Sequence, residues 1–158
     1  MSNANKEVID ILNDLIEYSK DGEKGFKESA DDVKNSELKA FFVQRAGACA
    51  NAAAELQAEV RRLGGDPETS TSVTADLHRG WVNLKSMLTG KDEESVLNEV
   101  ERGEDHALKA YKEAREKLVK HGHAAGDSTY ALVEKQLQGV QQNHDQVKAL
   151  RDAARARS

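Results

Sequence analysis

Hydrophobic residues recur at intervals of three and four along nearly the whole chain. This period places them on one face of an α-helix. Interruptions of the pattern divide the chain into five helical segments, and we predict four long helices with a shorter one between the second and the third. They are α1 (about 5–33), α2 (about 36–63), α3 (about 74–88), α4 (about 92–120) and α5 (about 128–154).

Turn and capping residues mark where these helices begin and end. Asn35-Ser36 forms a turn that supplies the N-cap of α2, and Gly64-Gly65 followed by Pro67 ends that helix. Asp127 or Ser128 caps α5. The 28 residues from Gly64 to Lys91 are far too many for a tight turn. We therefore predict that α3 belongs to a long connection between two helical hairpins.

Each long helix carries one polar or charged residue near its middle, where the apolar stripe requires a core side chain. These residues are Glu23 in α1, Arg45 in α2, Glu104 in α4 and His144 in α5. Burying an isolated charge costs several kcal/mol or more. We therefore expect these side chains to meet in the core, where they satisfy one another or bind a ligand.

The heights of these residues along the helices favour one bundle topology. Glu23 lies about twelve residues and Arg45 about nine residues from the turn between α1 and α2, so the two are nearly level. Glu104 and His144 each lie about twenty residues from the next turn and are level as well. All four come to one height if α2 and α4 are parallel, whereas a simple up-down-up-down bundle leaves a mismatch of about 9 Å. We predict an all-α four-helix bundle with a long helical crossover.

Composition and charge narrow the functions that this bundle can have. The 158 residues fit a single domain spanning 1–158. A net charge of −5 argues against nucleic acid as a partner. No apolar run approaches the roughly 20 residues that span a bilayer, so we expect no membrane partner. The chain begins without the features of a secretion signal, and Cys49 is the only cysteine, so we expect a cytoplasmic protein.

Two helical hairpins with polar groups at one level resemble the ferritin-like superfamily. Its di-iron pattern places Glu on the first and third long helices and Glu-x-x-His on the second and fourth. Here Glu23, Glu104 and the His of Gln141-Gln-Asn-His144 match that pattern, whereas α2 reads Arg45-Ala-Gly-Ala48. The segments DLIEYSKDGEKGFKESADDVK and ERGEDHALKAYKEA resemble, more specifically, a small bacterial family of uncharacterised four-helix-bundle proteins. The resemblance covers almost the whole chain and implies a ferritin-like fold without an established activity.

The leading functional hypothesis is a non-enzymatic bundle protein whose metal centre is degenerate. A buried polar network of five residues would replace the metal and fix the helix register. The network comprises Glu23, Arg45, Glu104, Gln141 and His144. We expect a structural or interaction role without a cofactor, and a partner that is a second copy of the chain or another protein. Analogy with ferritin-like proteins suggests a stress-related role.

The alternative hypothesis is a metal-binding protein of the oxidoreductase class. Glu23, Glu104 and His144 would hold iron or zinc, as a mononuclear or residual di-iron site. Arg45 opposes this interpretation because a guanidinium is always cationic and would replace the charge of one metal ion.

Two further features leave alternatives open. Trp81, the only tryptophan, either docks the crossover onto the bundle or forms part of a subunit interface. The C-terminal Arg151, Arg155 and Arg157 either stabilise the end of α5, where cations are favoured, or form a solvated tail, or bind phosphate.

Overall fold

A computed structural model describes residues 3–69, 75–88 and 92–157. Within these ranges the chain forms five helices and the turns between them. The helices are α1 (Asn3–Asp32), α2 (Ser36–Arg62), α3 (Ala75–Met87), α4 (Glu93–Lys120) and α5 (Ser128–Arg157). The predicted first residue of α3, Thr74, lies outside the described residues.

Side-chain caps explain where α2 and α4 begin. Asn35 Oδ1 accepts a hydrogen bond from the backbone N–H of Leu38 at 3.0 Å, and Asp92 Oδ1 accepts one from Ser95 at 3.2 Å. These bonds satisfy backbone donors that have no partner within the first turn of a helix. Gly64, with φ +85°, ends α2 in the left-handed conformation that glycine adopts without strain.

Two hydrophobic clusters occupy the two ends of the bundle and establish its topology. One cluster joins the second half of α1, the start of α2, the start of α4 and the end of α5. The other joins the start of α1, the end of α2, the end of α4 and the start of α5. Because α2 and α4 both begin at the same end, they run parallel. The predicted all-α bundle with a crossover between its hairpins is confirmed.

Trp81 docks the crossover helix α3 onto α1. Its indole Nε1 donates a hydrogen bond to Asp21 Oδ2 at 2.8 Å, and its ring meets the Phe26 ring edge-on at 5.1 Å. The indole lies so close to Gly25 that a Cβ at that position would come within 2.3 Å of a ring atom. Of the two roles considered for Trp81, the structure therefore shows docking of the crossover.

The C-terminal arginines form ion pairs with acidic residues in the first half of α4. Arg155 Nε lies 2.7 Å from Glu94, and Arg157 Nη2 lies 2.9 Å from Glu93. Arg151 pairs with Glu101 in the same way. These contacts tie the end of α5 to the beginning of α4.

None of the helices in the described ranges is long and apolar enough to cross a bilayer.

Candidate functional site

Arg45 and Glu104 form a two-point ion pair between the hydrophobic clusters. Arg45 Nε donates to Glu104 Oε1 at 2.9 Å, and Nη2 donates to Oε2 at 3.4 Å. The two side chains are only 7% and 2% exposed, so water contributes little to either charge. Burial lowers the pKa of Arg45, but the charge and hydrogen bonds of Glu104 outweigh it and raise that pKa above its usual value. Arg45 is therefore cationic and balances Glu104.

His144 lies against the flank of α4 and pairs with different acidic residues. Its Nε2 is 2.6 Å from Asp105 Oδ1 and 3.7 Å from Glu101 Oε1. One ligand atom from each of these three residues lies within 4.8 Å of the others, a grouping that could hold a metal ion. Glu101 also pairs with Arg151, which already supplies a positive charge there.

Glu23 and Gln141 do not join the Arg45–Glu104 pair. Glu23 is half-buried, and no ion pair or hydrogen bond links it to the other predicted network members within the described residues. Gln141 Nε2 donates instead to Asp145 Oδ1, on its own helix, at 3.1 Å. Of the five predicted network residues, the structure therefore brings together Arg45 and Glu104. It does not gather the predicted metal set of Glu23, Glu104 and His144 either.

Position on the helix does not explain why Glu23 stays apart. Counted from Leu15, Glu23 lies about 80° around the helix, between Leu12 at about 60° and Ile16 at about 100°. Both of these neighbours are buried, whereas Glu23 is half-buried. The apolar stripe therefore predicts burial at this position but not which side chains meet there.

A hydrogen-bonded chain that the sequence did not reveal crosses all four long helices. Tyr111 Oη donates to Gln136 Oε1 at 2.8 Å and lies 3.5 Å from Ser19 Oγ. Gln136 Nε2 donates to the carbonyl of Ala52 at 3.2 Å and to Glu55 Oε1 at 3.3 Å. Ser19 follows the core residue Leu15 at helical spacing, and Tyr111 follows Ala107 in the same way. Gln136 adjoins the core residue Leu137, so the periodicity does not single it out.

A cavity of about 720 Å³ lies between the two hairpins. All five helices contribute to its wall. Its polar wall includes Arg45, Glu104, Tyr111 and Gln136, and its apolar wall includes Phe26, Trp81, Leu84, Val100 and Val140. Exposed residues such as Ala48 and Asn51 also line it, so the cavity opens to solvent.

Cys49 faces this region as a half-buried, unactivated thiol. Burial raises its pKa to about 11, and the negative charges of Glu104 and Glu23 act in the same direction although Arg45 opposes them. The thiolate is the nucleophilic form of cysteine. Cys49 is therefore protonated at neutral pH and is no candidate nucleophile.

The donors around the ion pair do not fit a di-iron centre. That centre takes four Glu and two His from the four helices. Here Arg45 and Ala48 stand in two of those places and Gln141 in a third, while both oxygens of Glu104 already accept hydrogen bonds from Arg45. No catalytic step through two metal ions follows from this site.

The sequence was compared with models of known families and with curated proteins. A family model described as "Domain of unknown function (DUF2383)" matches residues 7–117, which is most of the chain. The sequence matches no curated protein.

Comparison with solved structures identifies the fold. A structure described as ferritin-like, diiron-carboxylate proteins from Bacillus anthracis is 18% identical, with a TM-score of 0.73 and coverage of 95% of this chain and 99% of that one. The bacterioferritin of Desulfovibrio desulfuricans is 18% identical, with a TM-score of 0.76 and coverage of 99% and 86%. The DPS protein of Vibrio cholerae is 16% identical, with a TM-score of 0.71 and coverage of 93% and 90%. The fold is ferritin-like, and at these identities the similarity extends to the fold alone.

Proposed function

The chain belongs to the family described as Domain of unknown function (DUF2383), and we propose from its own residues that it is a non-enzymatic ferritin-like protein whose centre is organised by an ion pair. Its role would be structural or that of an interaction module. One observation carries this proposal: Arg45 donates two hydrogen bonds to Glu104 in the middle of the bundle. Glu23 and Glu104 are the two acidic residues that match the di-iron pattern, and Glu104 is the more buried of them.

The charge of Arg45 argues against a metal ion beside it. A guanidinium remains cationic at any physiological pH and repels a second cation held within a few ångströms. A metal at Glu104 would have to displace Arg45 from both carboxylate oxygens and leave that cation buried without its partner. Such a step costs several kcal/mol.

Where the role of a buried ion pair is established, the pair mainly selects one arrangement of the packed helices over others. Arg45 in α2 and Glu104 in α4 join the two hairpins, so their pairing selects one relative height of the hairpins. A partner protein would then meet a bundle with a defined surface. We propose a second copy of the chain or another protein as that partner. A stress-related role in the bacterial cytoplasm follows only from analogy with the fold.

A specific cluster favours metal binding as a second candidate function. His144, Asp105 and Glu101 combine one imidazole with two carboxylates, a ligand set suited to zinc or iron. The cluster shares His144 with the metal set predicted from the sequence but replaces Glu23 and Glu104 by the neighbours Glu101 and Asp105. The pairing of Glu101 with Arg151 opposes this candidate.

Metal analysis distinguishes the two candidates. The protein would be purified without chelators and without a metal-affinity step, and its metal content measured by elemental analysis. Thermal melts with Fe²⁺, Zn²⁺ and Mn²⁺ would follow, for the wild type and for the His144→Ala and Asp105→Ala variants. His78→Ala is the matched control, because His78 is an exposed histidine outside the cluster.

The ion-pair proposal predicts a negligible metal content and no metal-dependent rise in melting temperature. About one metal ion per chain, with a stabilisation that His144→Ala and Asp105→Ala abolish and His78→Ala retains, would support the second candidate instead. The Glu23→Ala and Glu104→Gln variants would be melted in the same way. If they abolished the stabilisation, the metal-binding set predicted from the sequence, Glu23, Glu104 and His144, would be indicated.

A further inference from the structure

Two glycines line the cavity without a steric reason to be glycine. Gly103 lies in α4 and Gly139 in α5, and both contribute to the cavity wall. A Cβ placed on either residue would meet no atom within 4 Å. Glycine inside a helix is less stable than alanine, so alanine would fit at both positions and stabilise the bundle. Gly103 is exposed and Gly139 half-buried, so both lie on the open side of the cavity, where a larger side chain would narrow it.

One residue of the cavity wall has a buried polar atom without a protein partner in the described part of the chain. The hydroxyl of Tyr18 is buried and has no hydrogen-bond partner among the described residues. Arg45 uses Nε and Nη2 to bind Glu104, and its Nη1 donors take no part in that pair. A buried hydroxyl is normally hydrogen-bonded, so an unpartnered one requires an explanation. A bound molecule with a suitable oxygen would supply the missing partner.

The size and lining of the cavity match those of small-molecule sites. Such sites enclose about 300–1,000 Å³ and combine apolar walls with a few polar groups. The volume here is about 720 Å³, and the walls include the aromatic rings of Phe26, Trp81 and Tyr111. Flat aromatic side chains suit a flat, mostly apolar ligand.

The positive charges in the wall already have partners. Glu104 neutralises Arg45, and at the edge of the cavity Lys135 lies 2.6 Å from Glu55 and Arg102 lies 3.9 Å from Glu99. Arg79, the fourth cation of the wall, also has an interaction of its own. An anionic ligand would lose its hydration without gaining an unpaired positive partner, and a cationic ligand would meet Arg45. A neutral ligand avoids both penalties.

We propose that this cavity is a binding site for a neutral, mostly apolar molecule with a flat aromatic part. A carbonyl or hydroxyl oxygen on that molecule accepts a hydrogen bond from Arg45 Nη1 or from the hydroxyl of Tyr18. This inference goes beyond the proposed function, because it does not depend on whether the His144 cluster holds a metal ion.

Prodan, a neutral naphthyl ketone, is a suitable probe for this site. Its emission moves to shorter wavelength in an apolar environment, and it absorbs where tryptophan emits. Trp81 is the only tryptophan in the chain and lines the cavity, so prodan bound there quenches Trp81 emission by energy transfer. We expect saturable binding of one prodan per chain with quenching of Trp81, and binding of the naphthoate anion at least about tenfold weaker.

Leucine variants test where the probe binds. Gly103→Leu and Gly139→Leu place a side chain in the cavity, and each is expected to weaken prodan binding at least about tenfold. Gly47→Leu is the matched control, because Gly47 is also a helical glycine with open space around its Cβ position but does not line the cavity. It should bind prodan as the wild type does.

Three results would overturn the proposal. The first is that wild-type protein does not bind prodan saturably with quenching of Trp81. The second is that Gly47→Leu loses as much prodan binding as the cavity variants do. The third is that the wild type binds naphthoate as tightly as prodan. Circular dichroism identifies any leucine variant that does not fold. In that case the other cavity variant decides the question, because prodan bound elsewhere on a chain of this size could also quench Trp81 by energy transfer.

Discussion

Arg45 shows how a single residue changes the chemistry of a bundle centre. Its guanidinium forms two hydrogen bonds to Glu104 and also lies over the Phe26 ring, 5.2 Å from the ring centroid. A lysine would be a point charge without this planar pair of donors. The partners of Arg45 therefore come from two different hairpins, since Phe26 lies in α1 and Glu104 in α4. Its removal should affect the whole bundle.

We predict that Arg45→Met destabilises the protein by about 3–5 kcal/mol, because Glu104 then remains buried without a positive partner. The double variant Arg45→Met/Glu104→Leu removes both charges and should recover most of that loss. The free energy of unfolding in urea measures both effects. Arg102→Met is the control: Arg102 is 70% exposed and pairs weakly with Glu99, so its loss should change stability by less than about 1 kcal/mol. An Arg45→Met variant as stable as the wild type would contradict the role given to the ion pair.

At the scale of elements, the crossover helix depends on the contact between Trp81 and α1. The close approach of the indole requires glycine at position 25, because any Cβ there would overlap the ring. The hydrogen bond to Asp21 fixes the orientation of the ring, and burial raises the pKa of Asp21 although this bond lowers it. The same indole forms part of the cavity wall, so α3 also closes one side of the cavity.

We predict that Gly25→Ala displaces Trp81 and destabilises the protein by about 1–3 kcal/mol, the usual cost of overpacking. Trp81 emission should move to longer wavelength as the indole becomes more exposed to water. Thermal melting and tryptophan fluorescence measure the two effects. Gly47→Ala provides the comparison, because its Cβ meets nothing within 4 Å and alanine should stabilise α2 by about 0.5–1 kcal/mol. Unchanged emission and stability in Gly25→Ala would show that Trp81 does not hold the crossover in this way.

At the scale of the whole molecule, both hydrophobic clusters are built from all four long helices. Each cluster takes side chains from α1, α2, α4 and α5, and the polar middle and the cavity separate the clusters. Neither end of the bundle can therefore form from one hairpin alone. That 1–158 is a single domain stays a prediction, which an unfolding experiment can test.

A single domain of this kind should unfold in one cooperative step. Circular dichroism follows all the helices, whereas Trp81 fluorescence follows the end of the bundle where the crossover packs. We expect the two signals to change at the same urea concentration. Loss of the Trp81 signal at a clearly lower concentration would mean that the crossover and its end of the bundle unfold independently.

The sequence by itself determined the helices, their order and the type of connection between them. Helical period, the Asn35 cap and the glycines after α2 act through residues near in the chain, so they can be read locally. The long segment after Gly64 excluded a tight turn and led to the parallel arrangement of α2 and α4. Position within the apolar stripes also identified Arg45 and Glu104 as buried charges.

Only the tertiary structure decided which side chains meet. His144 lies against Asp105 instead of joining Glu104, because the rotation of each helix about its axis is set by the packing of all its neighbours and not by its own stripe. A rotation of a few tens of degrees is enough to move a side chain from the core to the flank of a helix. The cavity arises in the same way, since Gly103 and Gly139 create room only when the packed hairpins bring them to one space.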